Sequence, residues 1–553
     1  MTELFDLSDR AVNEFVAADP LLGTYSGVAG HDDRWPDMSP EGHAESATLH
    51  RAMRDEALAT TAETSQDRLA QRVLVDYCDD ALAAHDAALY LTDLNNIDSP
   101  HQAVRQVFDV HAADSAEDWE SILTRLETIN EPLDGYRLTL ESGLRAGRVA
   151  SRRQVEAVVE QGVMAAGLDS SFCSLRRRLA EASVDSAQYK VRLDAAIDGA
   201  RSAYADLNHW LTEQYAPHAV EADGVGEERY RASSRMFLGT ELDLHATYRW
   251  AWDEVERLWA ELERVCAKID SDRSVLDVYE LLSTDPARVA GSADEFIALM
   301  QERQEAALRN LDGTHFDVPD EIRAIDVLVE PAGGALAAHY LPPSEDFSRA
   351  GSVWYPIEGM TSIPIFKEIT TAYHEGFPGH HLQVGVQATQ QDQLSRFHRM
   401  LVWYPGSGEG WALYAEHLMG ELGYLELPDY QVGLLSSQML RALRVVIDIG
   451  VHLDLAIPDD VSFHPGEPWT YDVAYDLLAK QAGEGPATAQ SEVVRYFGWP
   501  GQASSYKVGE QAILDLRAEQ QKRPDFDLKT FHANVLAVGS IGLDLLRHQI
   551  ALA

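Results

Sequence analysis

Cysteine is scarce in this chain. There are three in 553 residues, Cys78, Cys173 and Cys266, too few and too far apart for a disulfide framework or a CxxC pair, as in a reducing compartment. Positive charge is thin as well: 45 Lys and Arg stand against 90 Asp and Glu, a formal net charge of −45. A surface of that sign repels phosphate backbones and anionic headgroups, which argues against nucleic acid and against membrane surfaces as partners. No apolar run reaches the ~18 residues that a membrane-spanning helix needs. The acidic start MTELFDLSDR has no apolar core of the kind a secretory signal carries. These absences lead to the expectation of a soluble cytoplasmic protein. What the chain does have is 45% hydrophobic residues, enough at this length for a sizeable core.

Apolar residues recur at three- and four-residue spacing through most of residues 1–320, which predicts helices. Leu69, Val73, Tyr77 and Leu82 follow this pattern, and so do the stretches Trp119–Ile129, Ala187–Gln214 and Leu244–Lys268. Turn chemistry breaks the pattern at Asn96–Pro100, Glu131–Pro132, Ala216–Gly226 and Ser283–Pro286. From about residue 322 the texture becomes β-prone, in Ile322–Val329, Ala337–Leu341 and Gly351–Ile357. Helical patterns resume near Phe366, with loops expected at Tyr404–Gly408, Pro458–Pro468 and Trp499–Gly501. The expected fold is mainly α: a large helical body with a deep central cleft. A small antiparallel β-sheet, at about residues 322–357, would lie beside the active-site helix. Residues 1–320 would form a helical N-terminal part covering the cleft and residues 321–553 the catalytic part, in one continuous body.

The chemistry concentrates in Thr371–Gln383, TAYHEGFPGHHLQ. A His-Glu pair on a helix is how many zinc hydrolases supply one imidazole ligand and the carboxylate that takes a proton from water. The usual spacing is HExxH, since residues i and i+4 share a helix face. Here the position four after His374 is Pro378, which holds no metal. His380 can serve if Pro378-Gly379 acts as an insertion that breaks the helix. His381, seven residues on, returns to the same face but about 10.5 Å further along an ideal helix, so it too needs a break. His380 is favoured, because the Gly-His step resembles the ending of the common motif, and His381 remains the alternative.

Residues 406–416, GSGEGWALYAE, resemble the EG-aromatic-A-x-Y-x-E segment of gluzincin aminopeptidases, which implies Glu409 as the metal carboxylate, with Glu416 two turns on along the same face. Together with YHEGFPGHHLQ, RALRVVIDIGVH (Arg441–His452), RYFGWPGQASSYKVGE (Arg495–Glu510) and Gly226–Leu244, this resembles a large bacterial family of unknown function grouped with the gluzincin metallopeptidases. The resemblance implies the mainly helical fold of carboxypeptidase Taq, the oligopeptidases and angiotensin-converting enzyme, and one Zn²⁺ per chain. Related helical peptidases place a His and a Tyr beside the metal from C-terminal helices, which implies His452 and Tyr506 as oxyanion donors.

An arginine suits a peptide's terminal carboxylate by its bidentate geometry, and Arg441, Arg444 and Arg495 are available for that task. Asp448, four residues after Arg444, could instead simply pair with it. The segment GSVWYPIEG could take an extended peptide along a sheet edge. The function expected is that of a zinc metallopeptidase, carboxypeptidase-like, on short peptides, with Glu375 as the general base. Two alternatives stand beside it: a metal-dependent hydrolase of a non-peptide amide or ester, and a non-catalytic helical binding protein.

Overall fold

The computed structural model describes residues 2–330, 337–344 and 347–552. The chain is mainly α with small sheets. It divides into two compact units: Met1–Ala232 with Ser395–Leu401 and Phe497–Trp499, and Ser233–Leu394 with Val402–Tyr496 and Pro500–Ala553. The division expected at about residue 320 falls inside the second unit, which already holds residues 233–320.

In the first unit, helices form where the apolar spacing asks for them. Ser186–Trp210 buries Tyr189, Leu193, Ala196, Ile197, Ala200, Tyr204 and Leu207, one face at the helical period. Ala116–Glu127 turns Trp119, Ile122, Leu123 and Leu126 into the same core, joined there by Tyr136, Leu140 and Val158. Pro132 does not interrupt a helix but lies in the first turn of Asn130–Arg145, where its missing N–H costs nothing. Arg125 is fully buried. Its guanidinium donates to the carbonyls of Arg34 (3.1 Å), Pro20 (3.2 Å) and His31 (3.3 Å), and burial lowers it to about 10.

The second unit is built on helices α1 (Leu244–Ile269), α2 (Ala293–Leu311), α3 (Glu368–Glu375), α4 (His380–Thr389), α5 (Pro405–Glu421), α6 (Pro428–His452), α7 (Pro486–Gly498, whose last two residues fall in the first unit) and α8 (Ser505–Gln520). The long α6 is buried on nearly all sides from Val432 to His452 and packs along α1. Helix α5 packs along α8 with glycine against glycine: a Cβ on Gly410 would come within 2.4 Å of the Gly509 backbone. The loop expected at Tyr404–Gly408 is therefore helix from Pro405 onward. Its glycines serve close helix packing, and Pro405 occupies the favourable first position.

Three strands, β1 (Ile325–Val329), β2 (His339–Leu341) and β3 (Gly351–Tyr355), form a sheet in the order β1-β3-β2. Residues 331–336 and 345–346 of the expected sheet region lie outside the described residues. The sheet is mixed, not antiparallel. β3 pairs parallel with β1 (Ile325↔Gly351) and antiparallel with β2 (Tyr340↔Val353), because β2 is inserted on the far side of β3. The segment expected to offer a free edge to a peptide is therefore the central strand, with its backbone groups committed on both sides.

Candidate metal centre

Helix α3 ends on the pair His374 and Glu375. The chain leaves the helix at Gly376 and re-enters one at His380. Residue 379 must be glycine, because a Cβ there would stand 2.0 Å from the carbonyl oxygen of His374. The break is held from outside. Gln304 on α2, 1% exposed, accepts from the Phe377 N–H (2.7 Å), which the break leaves without its helical acceptor, and donates from Nε2 to the Ala372 carbonyl (2.6 Å) alongside the Gly376 N–H (3.0 Å). Trp411 Nε1 donates to the Pro378 carbonyl (3.0 Å).

This turn sets His380 beside His374, with ring centroids 4.9 Å apart and planes at 87°. Helix α5 brings in Glu409, whose Oε2 lies 3.3 Å from His374 Nε2 and 3.4 Å from His380 Nε2. One donor atom from each of the three lies within 4.8 Å of the others. Glu409 Oε2 is buried without a hydrogen-bond partner, as is His380 Nδ1. Ligands at about 2.0–2.1 Å from a tetrahedral ion stand about 3.3 Å from one another. The spacing, the N,N,O donor set and the orphaned carboxylate oxygen all fit a divalent cation.

Behind the cluster, Glu416 is 1% exposed. Its Oε1 accepts from His374 Nδ1 (2.7 Å) and its Oε2 accepts from the Thr370 hydroxyl (3.0 Å). A carboxylate behind a ligating imidazole fixes the tautomer that leaves Nε2 free for metal. Burial alone would lower the His374 imidazole, but Glu409 and Glu416 push it up to about 10. Burial would raise the Glu409 carboxyl, yet the two imidazoles hold it well below the usual range. Glu375 is half-buried and its carboxyl is raised, by burial first and by Glu409, against the pull of His374 and His380. The exposed ring of Trp403 (44%) lies 5.8 Å from that of His380 and forms a wall of the centre.

Other expected site residues lie elsewhere. His381 is turned away from the cluster: its Nε2 donates to the Ile322 carbonyl (2.7 Å) and its Nδ1 meets the Tyr340 hydroxyl (3.1 Å), so neither nitrogen is left for a metal. Burial lowers it to about 4, a neutral core histidine. His452, 1% exposed, spends Nε2 on the Tyr496 carbonyl (2.9 Å), which makes it a core residue and not an oxyanion donor. Asp448 does not pair with Arg444. Its carboxylate accepts from the N–H groups of Gly501 (3.1 Å) and Ser504 (3.2 Å) and so caps the turn before α8. Arg444 reaches across to α7, to Glu492 (2.8 Å) and the Tyr496 hydroxyl (2.9 Å), with the Tyr506 ring 4.5 Å beneath its guanidinium. Arg495 bonds Glu492 (3.0 Å) and Gln502 (2.5 Å), and Arg441 sits one turn before Arg444.

Gln304, Thr370 and Trp403 were not legible as site residues in the sequence. A lone Gln, Thr or Trp carries no spacing signal, and only the fold brings each to the cluster.

The profile of DUF885, described as bacterial protein of unknown function, matches residues 20–550. The chain belongs to the DUF885 family. No curated protein matches the sequence. Among solved structures, the putative lipoprotein from Colwellia psychrerythraea superposes with a TM-score of 0.86 at 20% identity, covering 100% of this chain and 98% of that one. A putative lipoprotein of unknown function from Shewanella oneidensis gives 0.73 at 18% identity, covering 100% of both. At such identities the likeness carries the fold of this DUF885 protein and nothing about its chemistry. Among its described residues no helix is long and apolar enough to cross a membrane.

Proposed function

We propose that the protein is a zinc-dependent hydrolase of peptide bonds. The observation that carries this reading is the convergence of His374, His380 and Glu409, with Glu409 Oε2 at 3.3 Å and 3.4 Å from the two imidazoles, and the electrostatic coupling of Glu375 to all three. Zinc held by these three groups would supply Lewis acidity and lower the pKa of a bound water. Glu375, next in sequence to one ligand and on the same break, takes a proton from water and returns it to the leaving amine. A carboxyl with a raised affinity for protons suits both halves of that task. Glu416 keeps the His374 ring in its orientation. The likeness of EGWALYAE to the gluzincin segment supports a peptide bond as the one attacked, over other amides or esters.

The test is Glu375→Gln, assayed for zinc content and for cleavage of a peptide library. Metal is retained and turnover falls by at least about 10²-fold. A variant that cleaves as well as the parent refutes the mechanism.

A further inference from the structure

Helix α3 is buried except along one stripe. Of its 8 residues only Glu368, Thr371 and Glu375 reach solvent, and their spacing of three and four puts them on one face. The stripe that ends in Glu375 therefore begins with a second carboxyl, about 10.5 Å away along the helix axis. The charges of Glu368 and Glu375 repel each other along it.

Glu368 lacks a cation of its own. Lys367, next to it, is spent elsewhere: its ammonium donates to Glu484 (2.9 Å) and to the carbonyls of Ala482 (3.1 Å) and Gly483 (3.3 Å). Burial raises the Glu368 carboxyl to about 7, by more than Lys367 and a hydrogen bond with Thr371 lower it. Glu492 is the contrast within the same unit. Burial would raise that carboxyl too, but Arg444 (2.8 Å) and Arg495 (3.0 Å) hold it down at about 2.

Tyr355, at the end of β3, is turned to the same stripe. The residue is 1% exposed, and its ring stands edge-on to Phe296 of α2 with centroids 5.0 Å apart. Its hydroxyl is buried without a hydrogen-bond partner. Burial first, and then the charges of Glu368 and Glu375, oppose its ionisation. A buried hydroxyl near two carboxylates that make no bond to it leaves a polar space whose partner is missing, which is costly. A group with several N–H donors fits that space, because it neutralises Glu368 and donates to the Tyr355 oxygen. The net charge of −45 favours the approach of such a group.

We infer that Glu368, with Tyr355 beside it, takes an ammonium or guanidinium group of the ligand, and that the peptides hydrolysed carry this cation within about three extended residues of the bond cleaved. The peptide and its cleaved bond rest on the hydrolase reading above. The cation site itself does not.

The experiment uses the full-length chain stripped of metal with a chelator, at low ionic strength. Alanine tetrapeptide amides are titrated calorimetrically: one N-acetylated, one with a free α-amine, and acetylated forms with a single lysine or, in its place, norleucine. A cationic peptide binds at least about 10-fold more tightly than its neutral counterpart. The free-amine pair and the lysine pair tell an α-ammonium from a side chain as the source. Glu368→Gln brings the cationic peptide down to the neutral one's level, Glu368→Asp recovers part of the preference, and Glu375→Gln keeps it. The unfolding midpoint of Glu368→Gln does not fall, because no ion pair is lost. A carboxyl that only suits the positive end of α3 would give the opposite, a lower midpoint with binding untouched. Equal or absent binding of cationic and neutral peptides overturns the site, and so does a preference intact in Glu368→Gln or lost only in Glu375→Gln. Zinc content and peptide cleavage are measured on the same preparations without chelator. A chain that prefers cations through Glu368 but binds no zinc keeps the cation site and loses the hydrolase reading. One that binds zinc and cleaves neutral and cationic peptides alike does the reverse.

Discussion

Replacing Glu416 by glutamine removes one negative charge from behind the metal cluster and almost no volume. In the native protein Oε1 accepts from His374 Nδ1 at 2.7 Å and Oε2 accepts from Thr370 at 3.0 Å, in surroundings that leave the side chain 1% exposed. The glutamine carbonyl can still accept from His374. Its amide faces Thr370, whose hydroxyl then accepts instead of donating, so both contacts persist and the cost to folding is confined to the second amide N–H and the turned hydroxyl hydrogen. What is lost is the charge assistance to the imidazole, and with it ligand basicity. Removing such a partner costs about 10–100-fold in metal affinity, or about 1.4–2.7 kcal/mol. The assay is zinc titration against a competing chelator, with thermal unfolding of the metal-free protein alongside. The expected result is a zinc Kd weakened by that factor at nearly unchanged metal-free stability. A Kd within about threefold of the wild type would refute the role given to Glu416. So would a loss of affinity matched by an equal loss of metal-free stability.

Two further outcomes follow from groups outside the ligand set. Gln304→Leu leaves the Phe377 N–H buried without its partner, while the Ala372 carbonyl keeps the Gly376 N–H (3.0 Å), so stability should fall by about 1–3 kcal/mol and zinc affinity with it, as measured by denaturant unfolding and chelator competition. Unchanged zinc affinity would show that the break holds itself. His532 is buried, with Nε2 accepting from the Tyr414 hydroxyl (2.8 Å) and Nδ1 donating to the His315 carbonyl (3.2 Å), and burial lowers it to about 4. The unfolded chain therefore takes up the proton first as pH falls. This contribution is whole above about pH 6.5 and is lost at up to about 1.4 kcal/mol per pH unit down to about pH 4. Unfolding curves across that window should show the wild type losing stability faster than His532→Gln. Parallel profiles would contradict the assignment.

Much of this was legible in the sequence, for physical reasons that can be named. The helices were, because burial of one face leaves a period, as in Tyr189, Leu193, Ile197 and Tyr204. The His-Glu pair with a second histidine pair nearby was legible, as was the need for a break at Pro378-Gly379. That His380 and not His381 returns to His374 was the favoured reading, resting on the Gly-His step alone. What decides it is the Gln304 side-chain amide and the absence of a Cβ at 379, which only the folded chain brings together. The sheet's register was illegible for a similar reason: three short β-prone runs do not say that the last will lie between the other two. His452 and Asp448 stand on a helix buried all round, so spacing alone could not tell a substrate-facing side from one turned to the 496–504 turn.

The most direct test of the metal centre is zinc content of the purified protein and of His374→Ala, His380→Ala, His381→Ala and Glu409→Ala, each after zinc is supplied and excess removed. The proposed reading predicts near one zinc per chain in the wild type and in His381→Ala, and loss of it in the other three. A wild type that takes up no zinc would contradict the account, and so would a His380→Ala variant that keeps its metal while His381→Ala loses it.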